Sequence, residues 1–361
     1  MTKNSNSKYM QIKIDIESKI KSGHYPPRAR IPSENEIAAL YGVSVITSRK
    51  SLELLVHNGL VYREKGRGSF VSSNVVEDKP NESFNNIVTF ILLSYEFSDS
   101  ATMQLIKGAY TVLSDMKKSM IVEYSKDQPE REKDILEKCI ADNSAGVLLF
   151  SSDPEKNLDK LKDLKRNHIP FVLVDRGITQ FPVNIVSCYN LDGTYTMTMY
   201  LIQNGHERII FISNNQHILT EKLRYQGHQM AMTEKGLPCD PELLLTNFHD
   251  NPLEILRMIE ELHPTAIMCV NDLVACKVTD ILKENKIRVP QDISVTGFDD
   301  ADIAKYNHPK LTTVRQDFYK IGKKAAELLV ERIADNNTEC SQIYLPIELI
   351  VRDSTAAAKK G

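Results

Sequence analysis

The sequence lacks several features that would assign it to large classes of proteins. Its 361 residues contain no uninterrupted apolar run of about 18 residues, which argues against a membrane-spanning helix. The opening residues, MTKNSNSKYMQIK, are polar and lack the apolar stretch of a secretory signal, so we expect a cytoplasmic protein. The six cysteines are scattered and form no C-x-x-C pair, which argues against a structural zinc site or a disulfide framework.

Motifs of common catalytic sites are also missing. The sequence has no G-x-x-x-x-G-K-[ST] phosphate loop, no G-x-S-x-G nucleophile turn and no H-E-x-x-H metal helix. The segment GHERI holds a single His and Glu, which is typical of an exposed turn before a strand. The nine histidines form no tight cluster, so we expect no bound metal. Because the catalytic motifs are also missing, we expect no cofactor and predict that the protein is not an enzyme.

The charge is divided unevenly along the chain. The composition, 42% hydrophobic and 26% charged, is that of a globular protein with more than one domain. Residues 1–75 carry 12 Lys and Arg against 6 Asp and Glu, which leaves 33 against 42 for residues 76–361. A basic head on an acidic body predicts that the head alone contacts a polyanion.

A polar segment, SSNVVEDKPNESFNN, separates these two parts and is typical of a linker. We therefore predict a small α+β head over residues 1–71, a linker over 72–86 and a larger body over 87–361.

The head shows the pattern of three helices. An apolar stripe at helical spacing predicts the first helix: Tyr9, Ile12, Ile16 and Ile20. Ser33 and Glu36 form a capping box that begins the second, and Gly42 permits the left-handed turn that ends it. Its buried face is expected from Ile37, Leu40 and Tyr41. Ser44 is the predicted N-cap of the third helix.

Cations and apolar side chains lie together on the third helix and on a hairpin that follows it. The exposed positions of the helix are Val45, Ile46, Arg49 and Lys50. The hairpin, LVYRE and SFVS around KGRG, carries Lys65 and Arg67 at its tip. A solvated bundle would use such cations only for solubility, but the whole arrangement favours a winged helix-turn-helix that reads the major groove of DNA. The tip would follow phosphates or enter the minor groove.

Residues 8–71 resemble the GntR family of DNA-binding domains, through IPSENEIAALYGVS and GRGSFV. The resemblance implies contacts to DNA from Arg30, Ser33, Glu34, Ser44, Thr47, Arg49, Lys65, Gly66 and Arg67. One position departs from the family, since Val45 replaces the common Arg that reads guanine. Val45 and Ile46 suit thymine methyl groups instead.

The body alternates apolar runs with segments of helical periodicity. The runs IVTFILL, AGVLLF, PFVLVD, RIIFIS, TAIMCV and ISVTGF predict buried strands of parallel sheets with helices on both faces. The number of units is sufficient for two lobes. Because parallel sheets bind ligands at the carboxyl ends of their strands, we expect a cleft lined there.

Polar and aromatic residues follow these strands or lie near a helix start: Asp175, Arg176, Arg224, Phe248, Asn271, Asp272, Asp299 and Asp300. Carboxylates, Arg and Asn can hold vicinal hydroxyls, and an aromatic face covers the apolar side of a sugar. Arg224 and Asp299 are the strongest candidates. Asp272 and Asp300 are interpreted as helix caps, while Asp175 and Arg176 are either ligands or a surface ion pair.

Residues 86–352 resemble the effector domain of the LacI/GalR repressors, which is similar to periplasmic sugar-binding proteins. The resemblance is carried by LRYQGHQMAM, CVNDLVACKV, PQDISVTGFDD and HPKLTTVRQDFYKIGKKAAELL. It implies effector contacts from Asp175 or Arg176, Arg224, Phe248, Asn271 and Asp299. Tyr95 and Glu96 fall in a segment that often lines the same cleft, and Gln316 is expected near the hinge.

The combination of the two domain types resembles the arabinose repressors of Gram-positive bacteria. It implies a homodimer that binds operator DNA and is released by a small sugar, L-arabinose or another pentose. The dimer surface is expected to include Thr102–Met116 and segments flanking Tyr306. Three alternatives stay open from the sequence: a co-repressing ligand, a sugar-metabolising enzyme with a DNA-localising head, and a transport-type binding protein.

Overall fold

The computed structural model describes residues 8–21, 23–57, 60–64, 67–72, 86–93, 100–335 and 339–359. The chain divides into two compact units, an N-terminal unit over 1–82 and a C-terminal unit over 83–361. Within the described ranges no helix is both long enough and apolar enough to cross a bilayer.

The N-terminal unit combines helices with a small antiparallel sheet. Its elements are α1 (Lys8–Lys21), β1 (Arg30–Ile31), α2 (Glu34–Tyr41), α3 (Val45–His57), β2 (Val61–Glu64) and β3 (Gly68–Val71). The strands lie in the order β1-β3-β2, and both pairs are antiparallel. The core contains the three isoleucines of the predicted α1 stripe, Ile12, Ile16 and Ile20, together with Ile37, Leu52 and Leu55. Tyr9, the first residue of that stripe, is only half-buried.

The predicted capping box at the start of α2 and the left-handed turn at its end are both confirmed. Ser33 Oγ accepts a hydrogen bond from the Glu36 backbone N–H at 3.3 Å, and the Glu36 carboxylate accepts one from the Ser33 N–H at 2.6 Å. Gly42 then ends α2 with φ of 60°. These contacts satisfy backbone groups that the short helix leaves unpaired at its ends.

One buried position on α2 was predicted wrongly. Leu40 is 64% exposed, while Ala38 is buried in its place. At 3.6 residues per turn the buried face centres among Ile37, Ala38 and Tyr41, so Leu40 falls outside it.

The C-terminal unit continues the chain with alternating strands and helices. Its elements are β4 (Ile87–Leu92), α4 (Ser100–Asp115), β5 (Ser119–Tyr124), α5 (Pro129–Ala141), β6 (Gly146–Leu149), α6 (Leu158–Arg166), β7 (Phe171–Val174), β8 (Ile185–Cys188), α7 (Asn190–Gln203), β9 (Ile209–Ile212), α8 (Leu219–Glu234), a 3₁₀ turn (Pro241–Leu243), β10 (Leu244–Leu245), α9 (Glu254–Leu262), β11 (Ala266–Cys269), α10 (Asp272–Glu284), β12 (Ser294–Thr296), α11 (Asp302–Tyr306), β13 (Thr313–Gln316), α12 (Phe318–Ala334), β14 (Gln342–Leu345) and β15 (Ile347–Ile350).

These strands form two parallel sheets, as predicted. The first lobe has the order β14-β8-β7-β6-β4-β5, and the second lobe has β10-β9-β11-β12. Side chains alternate between the two faces of each sheet: Phe90 and Ile91 enter different cores of the first lobe, and Ile210 and Phe211 enter different cores of the second. Each sheet is therefore covered by helices on both faces.

The chain passes between the lobes three times. The crossovers lie at residues 188–190, between β8 and α7, at 316–318, between β13 and α12, and at 345–347, between β14 and β15. β13 and β15 pair antiparallel beside the second lobe. The backbone N–H of Tyr189 donates to the Leu345 carbonyl at 3.1 Å and so joins the first and third crossovers.

Two histidines of the second lobe are buried. His206, predicted in an exposed turn, instead contacts Thr265 Oγ1 at 3.0 Å and the Ala356 carbonyl at 2.9 Å, because the C-terminal segment covers it. His228 contacts Thr198 Oγ1 at 3.2 Å and packs beside Phe211. Burial lowers the pKa of His206, and it lowers that of His228 to about 4.

The depressed pKa of His228 predicts how stability depends on pH. An unfolded His titrates near pH 6.5, so the stabilisation by neutral His228 is complete above about pH 6.5 and is lost as the pH falls towards 4. Wild type loses this stabilisation between about pH 7.5 and 5, whereas His228→Gln cannot titrate. We therefore expect the Tm of His228→Gln to rise by several degrees relative to that of wild type over this range, since 1 kcal/mol corresponds to roughly 2–4 °C. Thermal melts followed by circular dichroism measure this difference. Parallel Tm curves for the two proteins would contradict it.

Candidate functional site

The first turns of α3 form an exposed surface in the N-terminal unit. Ile46 is 77% exposed, and Val45, Arg49 and Lys50 are also exposed. The Ser44 hydroxyl accepts a hydrogen bond from the Thr47 N–H at 3.2 Å, as expected of an N-cap. Ser44 therefore caps the start of α3 at this surface.

A single carboxylate joins three elements beside this surface. Glu34, the first residue of α2, accepts hydrogen bonds from Arg49 Nε on α3 at 2.9 Å and from Arg63 Nη2 on β2 at 3.0 Å. The sequence reasoning missed Arg63, although it lies in a basic hairpin next to Arg67. The two arginines are held close together by one anion and remain partly exposed.

Three other predicted DNA-contacting residues lie on α3, beside the hairpin tip and on β1. The Lys50 ammonium lies 4.2 Å from the centre of the Tyr9 ring, a cation–π contact with α1. Arg67 is exposed and pairs with Glu64 at 2.6 Å. Arg30 is exposed on β1, and its side chain lies against the backbone of Gly68, next to the hairpin tip. Two predicted residues, Lys65 and Gly66, lie outside the described residues.

In the C-terminal unit, Asp175 and Arg176 follow β7 but do not pair with each other. Asp175 is buried, with φ of 62°, and accepts a hydrogen bond from Ser187 Oγ at 3.3 Å. Arg176 donates to the carbonyl of Ser152 at 2.9 Å, and its guanidinium lies over the Phe150 ring. The alternative of a surface ion pair between them is therefore wrong.

Arg224 is a buried charged side chain, at 5% exposed. Its Nε donates to Asn190 Oδ1 at 2.8 Å, and its Nη1 donates to the Val270 carbonyl at 2.7 Å. Its Nη2 lies 3.4 Å from Asp299 Oδ1, and the guanidinium lies 3.7 Å from the centre of the Phe298 ring. It lies in the second turn of α8 rather than at its start, because the helix begins at Leu219.

Asp299 and Asn271 follow β12 and β11 of the second lobe. Asp299 has φ of 116°, and its Oδ1 accepts a hydrogen bond from Gln316 Nε2 at 2.7 Å. Asn271 caps α10, since its Oδ1 accepts from the Val274 N–H at 2.9 Å. The structure thus brings Arg224 and Asp299 into contact and engages the Asn271 oxygen in a helix cap.

Phe248 is not placed at this site. Phe248 has no exposed surface and belongs to the core of the second lobe, so its ring does not face solvent in this conformation. The sequence reasoning could not separate a core aromatic from one that covers a sugar. Tyr95 and Glu96 lie outside the described residues.

The prediction that Asp272 and Asp300 cap helices is wrong. Buried Asp272 accepts from Thr313 Oγ1 at 2.6 Å and from the Ala301 N–H at 2.8 Å, and burial raises its pKa well above the usual value. Asp300 pairs with Arg315 at 2.7 Å and with Arg352. Both carboxylates hold the loop after β12 against β13 and the C-terminal segment.

Two residues that the sequence reasoning missed connect Arg224 to the first lobe. Ser187 and Asn190, at the end of β8 and the start of α7, hydrogen bond to each other at 3.3 Å. They complete a continuous series of polar contacts that runs from the first lobe to the second: Asp175, Ser187, Asn190, Arg224, Asp299 and Gln316. Recognising β8 as a strand would have placed them, since they lie at its carboxyl end.

Buried carboxylates also hold the loops at the carboxyl ends of central strands. Glu132 on α5 accepts hydrogen bonds from the Ser151 hydroxyl at 2.5 Å and the Ser152 N–H at 2.7 Å, after β6. Glu221 on α8 accepts from the Ser213 hydroxyl at 2.7 Å and the Asn214 N–H at 2.9 Å, after β9. Each lobe therefore has an ordered loop at the edge where its strands end. Among the described residues, no group of His, Cys, Asp and Glu side chains could hold a metal ion.

Two family descriptions match the chain. Residues 8–71 match bacterial regulatory proteins of the gntR family, and residues 198–355 match the periplasmic binding protein-like domain. The arabinose metabolism transcriptional repressor of Halalkalibacterium halodurans is 31% identical over 373 residues, which covers 98% of each chain. That of Geobacillus stearothermophilus is also 31% identical and covers 96% of this chain and 97% of its own.

Solved structures of transcriptional regulators share the fold. A CelR–cellobiose complex covers 90% of this chain and 100% of its own, with a TM-score of 0.68 and 22% identity. A LacI family regulator from Enterococcus faecium with bound ribose covers 75% of this chain and 100% of its own, with a TM-score of 0.65 and 23% identity. The chain therefore belongs to the family of bacterial transcriptional repressors in which a gntR-family DNA-binding domain precedes a periplasmic binding protein-like domain.

Proposed function

We propose that this repressor binds operator DNA as a homodimer and is released when L-arabinose or another pentose occupies the cleft between its two lobes. The DNA-binding domain would comprise residues 1–71, the linker 72–86 and the effector domain 87–361. The observation that carries the proposal is the contact between Arg224 and Asp299 at the carboxyl ends of the second-lobe strands. The names of the full-length relatives support arabinose as the effector.

The exposed surface of α3 supports recognition of the major groove. Arg49 can donate paired hydrogen bonds to guanine, and Val45 and Ile46 can contact thymine methyl groups. Glu34 holds Arg49 in place before DNA arrives. Arg67 on the wing would contact phosphate, while the N–H groups at the start of α3 favour a phosphate nearby.

The polar series between the lobes supports a ligand rich in hydroxyl groups. Asp299 accepts hydrogen bonds and Arg224 donates them, the combination that holds vicinal hydroxyls. Asp175, Arg176 and Asn271 would add further contacts from both lobes. Each charge-assisted bond contributes about 1.5–3 kcal/mol, so a few are sufficient for micromolar binding.

Release of DNA would follow from a shift between conformations. A sugar that contacts both lobes binds one lobe arrangement more tightly than the other, and only this difference in affinity can move the equilibrium. The three crossovers are the segments where the lobes can turn against each other. Linkage requires operator DNA to weaken sugar binding by the same factor by which sugar weakens operator binding.

The exposed face of α4 supports a dimer contact. Met103 and Tyr110 project from it into solvent, Met116 follows its end, and Tyr306 is exposed at the end of α11. Large apolar side chains on one face are typical of an interface. Two heads brought together by a two-fold axis would reach both half-sites of a palindromic operator, which one head cannot do.

Replacing Arg49 tests the DNA surface. We expect Arg49→Ala to weaken operator binding by about 10- to 100-fold, because a bidentate Arg–guanine contact is worth about 1–3 kcal/mol. Its affinity for L-arabinose should stay within twofold of wild type. Lys13→Ala removes the same charge from α1 and should leave operator affinity nearly unchanged. Fluorescence anisotropy with labelled operator measures both, and an equal loss of DNA and sugar affinity would count against separate sites.

Replacing Asp299 tests the sugar site. Wild type should show a rise in Tm with L-arabinose in a thermal-shift screen of pentoses, hexoses and their phosphates, because a ligand that binds only the folded state stabilises it. We expect Asp299→Asn to weaken sugar binding at least tenfold, since it loses a charge-assisted acceptor, and to repress without release.

The control for this variant is Asp302→Asn, which changes an exposed carboxylate three residues away that pairs with Lys305. It should bind sugar and release operator like wild type. Normal release of operator by Asp299→Asn would refute the assigned site. Tighter operator binding in the presence of sugar would make the sugar a co-repressor.

A charge on α4 tests the dimer surface. We expect Tyr110→Glu to raise the dimer dissociation constant more than tenfold, because a carboxylate would be buried in an apolar contact, and to weaken operator binding in parallel. Analytical ultracentrifugation measures the first effect. Leu253→Glu, on another exposed apolar side chain, is the control. A Tyr110→Glu protein that stays dimeric at wild-type concentrations would place the contact elsewhere.

A further inference from the structure

Asn190 lies where the chain first crosses between the lobes. It is the first residue of α7, directly after β8 and Tyr189, and it is 2% exposed. We propose that Asn190 is a positioning residue that transmits occupancy of the sugar site at Arg224 to the crossover at residues 188–190. The inference rests on the proposed release of operator by a pentose and adds the residue that couples the two events.

The side-chain amide of Asn190 makes contacts in opposite directions. Its Oδ1 accepts a hydrogen bond from Arg224 Nε at 2.8 Å. Its Nδ2 donates to Ser187 Oγ at 3.3 Å and to the Cys188 carbonyl at 3.2 Å. A carboxylate could accept but not donate, and a hydroxyl could not reach both sides, so an amide is the group that links Arg224 to β8.

These contacts are not those of an ordinary helix cap. The N-cap of α7 is Tyr189, and it makes no side-chain cap hydrogen bond. The Asn190 side chain instead contacts residues before the helix and a residue of α8. Burial of a polar side chain is costly unless its groups are paired, and here the partners belong to the sugar site and to the crossover.

Because the guanidinium of Arg224 is rigid and planar, a change at one of its nitrogens moves the others. Arg224 Nε and Nη2 lie in one plane, with Nε on Asn190 and Nη2 towards Asp299. A sugar hydroxyl that hydrogen bonds to Nη2 or to Asp299 changes the orientation of this plane and so displaces the Asn190 side chain. The movement reaches residues 188–190, where the Tyr189 N–H is also bonded to the third crossover at Leu345.

The second crossover is tied to the same pair from the other side, since Gln316 donates to Asp299 at 2.7 Å. Arg224 and Asp299 therefore lie between two crossovers, with Asn190 on one side and Gln316 on the other. This placement makes the chain direction at both crossovers depend on how the charged pair is arranged.

The test separates coupling from binding. Asn190→Asp keeps the acceptor for Arg224 but loses the donor and sets a carboxylate against the Cys188 carbonyl. We expect its L-arabinose dissociation constant to change less than about threefold. The ratio of operator dissociation constants with and without saturating L-arabinose should fall at least tenfold. Calorimetry measures the first quantity and fluorescence anisotropy the second, on the full chain.

A matched control is available on the same helix. Asn204 lies at the C-terminal end of α7 and donates to the Tyr200 carbonyl at 2.8 Å, away from the cleft. Asn204→Asp makes the same chemical change and should keep the wild-type ratio. If Asn190→Asp does not fold, Ser187→Ala interrupts the same linkage one bond further along and should lower the ratio in the same direction.

The possible outcomes are distinct. A wild-type ratio in Asn190→Asp, or in Ser187→Ala where the first variant does not fold, refutes the coupling role while leaving the proposed function intact. Loss of sugar affinity by more than tenfold in the same variant makes Asn190 a sugar-binding residue and also overturns the inference. Wild-type protein that no pentose releases from operator refutes the proposed function itself, and the coupling role with it.

Discussion

The C-terminal unit depends on the contacts that satisfy the buried guanidinium of Arg224. A charge removed from water must be paired and hydrogen bonded, or its desolvation would cost several kcal/mol. Its partners come from three places in the second lobe: Asn190 at the start of α7, the Val270 carbonyl after β11, and Asp299 with Phe298 after β12. The charge is satisfied only when these elements are correctly aligned, so the site and the fold of the lobe require each other.

In the N-terminal unit, a single carboxylate pairs with two cations. Glu34 holds Arg49 and Arg63, which come from a helix and a strand, and fixes the spacing of two cations that would otherwise repel. The capping box places Glu34 at the start of α2, where an acidic residue also suits the helix dipole. Local helix chemistry therefore arranges a surface for a polyanion before one is bound.

Local patterns made much of this architecture predictable from the sequence. The stripe of α1, the capping box at Ser33 and the left-handed Gly42 depend on residues within a few positions of one another. The six apolar runs became strands for the same reason. Asp272 and Asp300 were misassigned because their partners are distant in sequence: Thr313 lies 41 positions from Asp272, and Arg352 lies 52 from Asp300. Leu40 was misassigned for a local reason, since the helical phase of α2 directs Ile37, Ala38 and Tyr41 to the buried face. Asn190 was missed because β8 carries no long apolar run.

The geometry around Arg224 is uneven, and this has a consequence for ligand entry. Its contacts with Asn190 and Val270 are 2.8 and 2.7 Å, within the normal range for an N–H···O bond, whereas its contact with Asp299 is 3.4 Å. Asp299 is also the more exposed member of the pair. The guanidinium is thus held firmly on the side of the crossover and more loosely on the side of the carboxylate. Under the proposed function, a sugar hydroxyl that bridges Arg224 and Asp299 would replace the weakest contact and leave the strong ones in place, so binding would act on the link to Asn190 without breaking it.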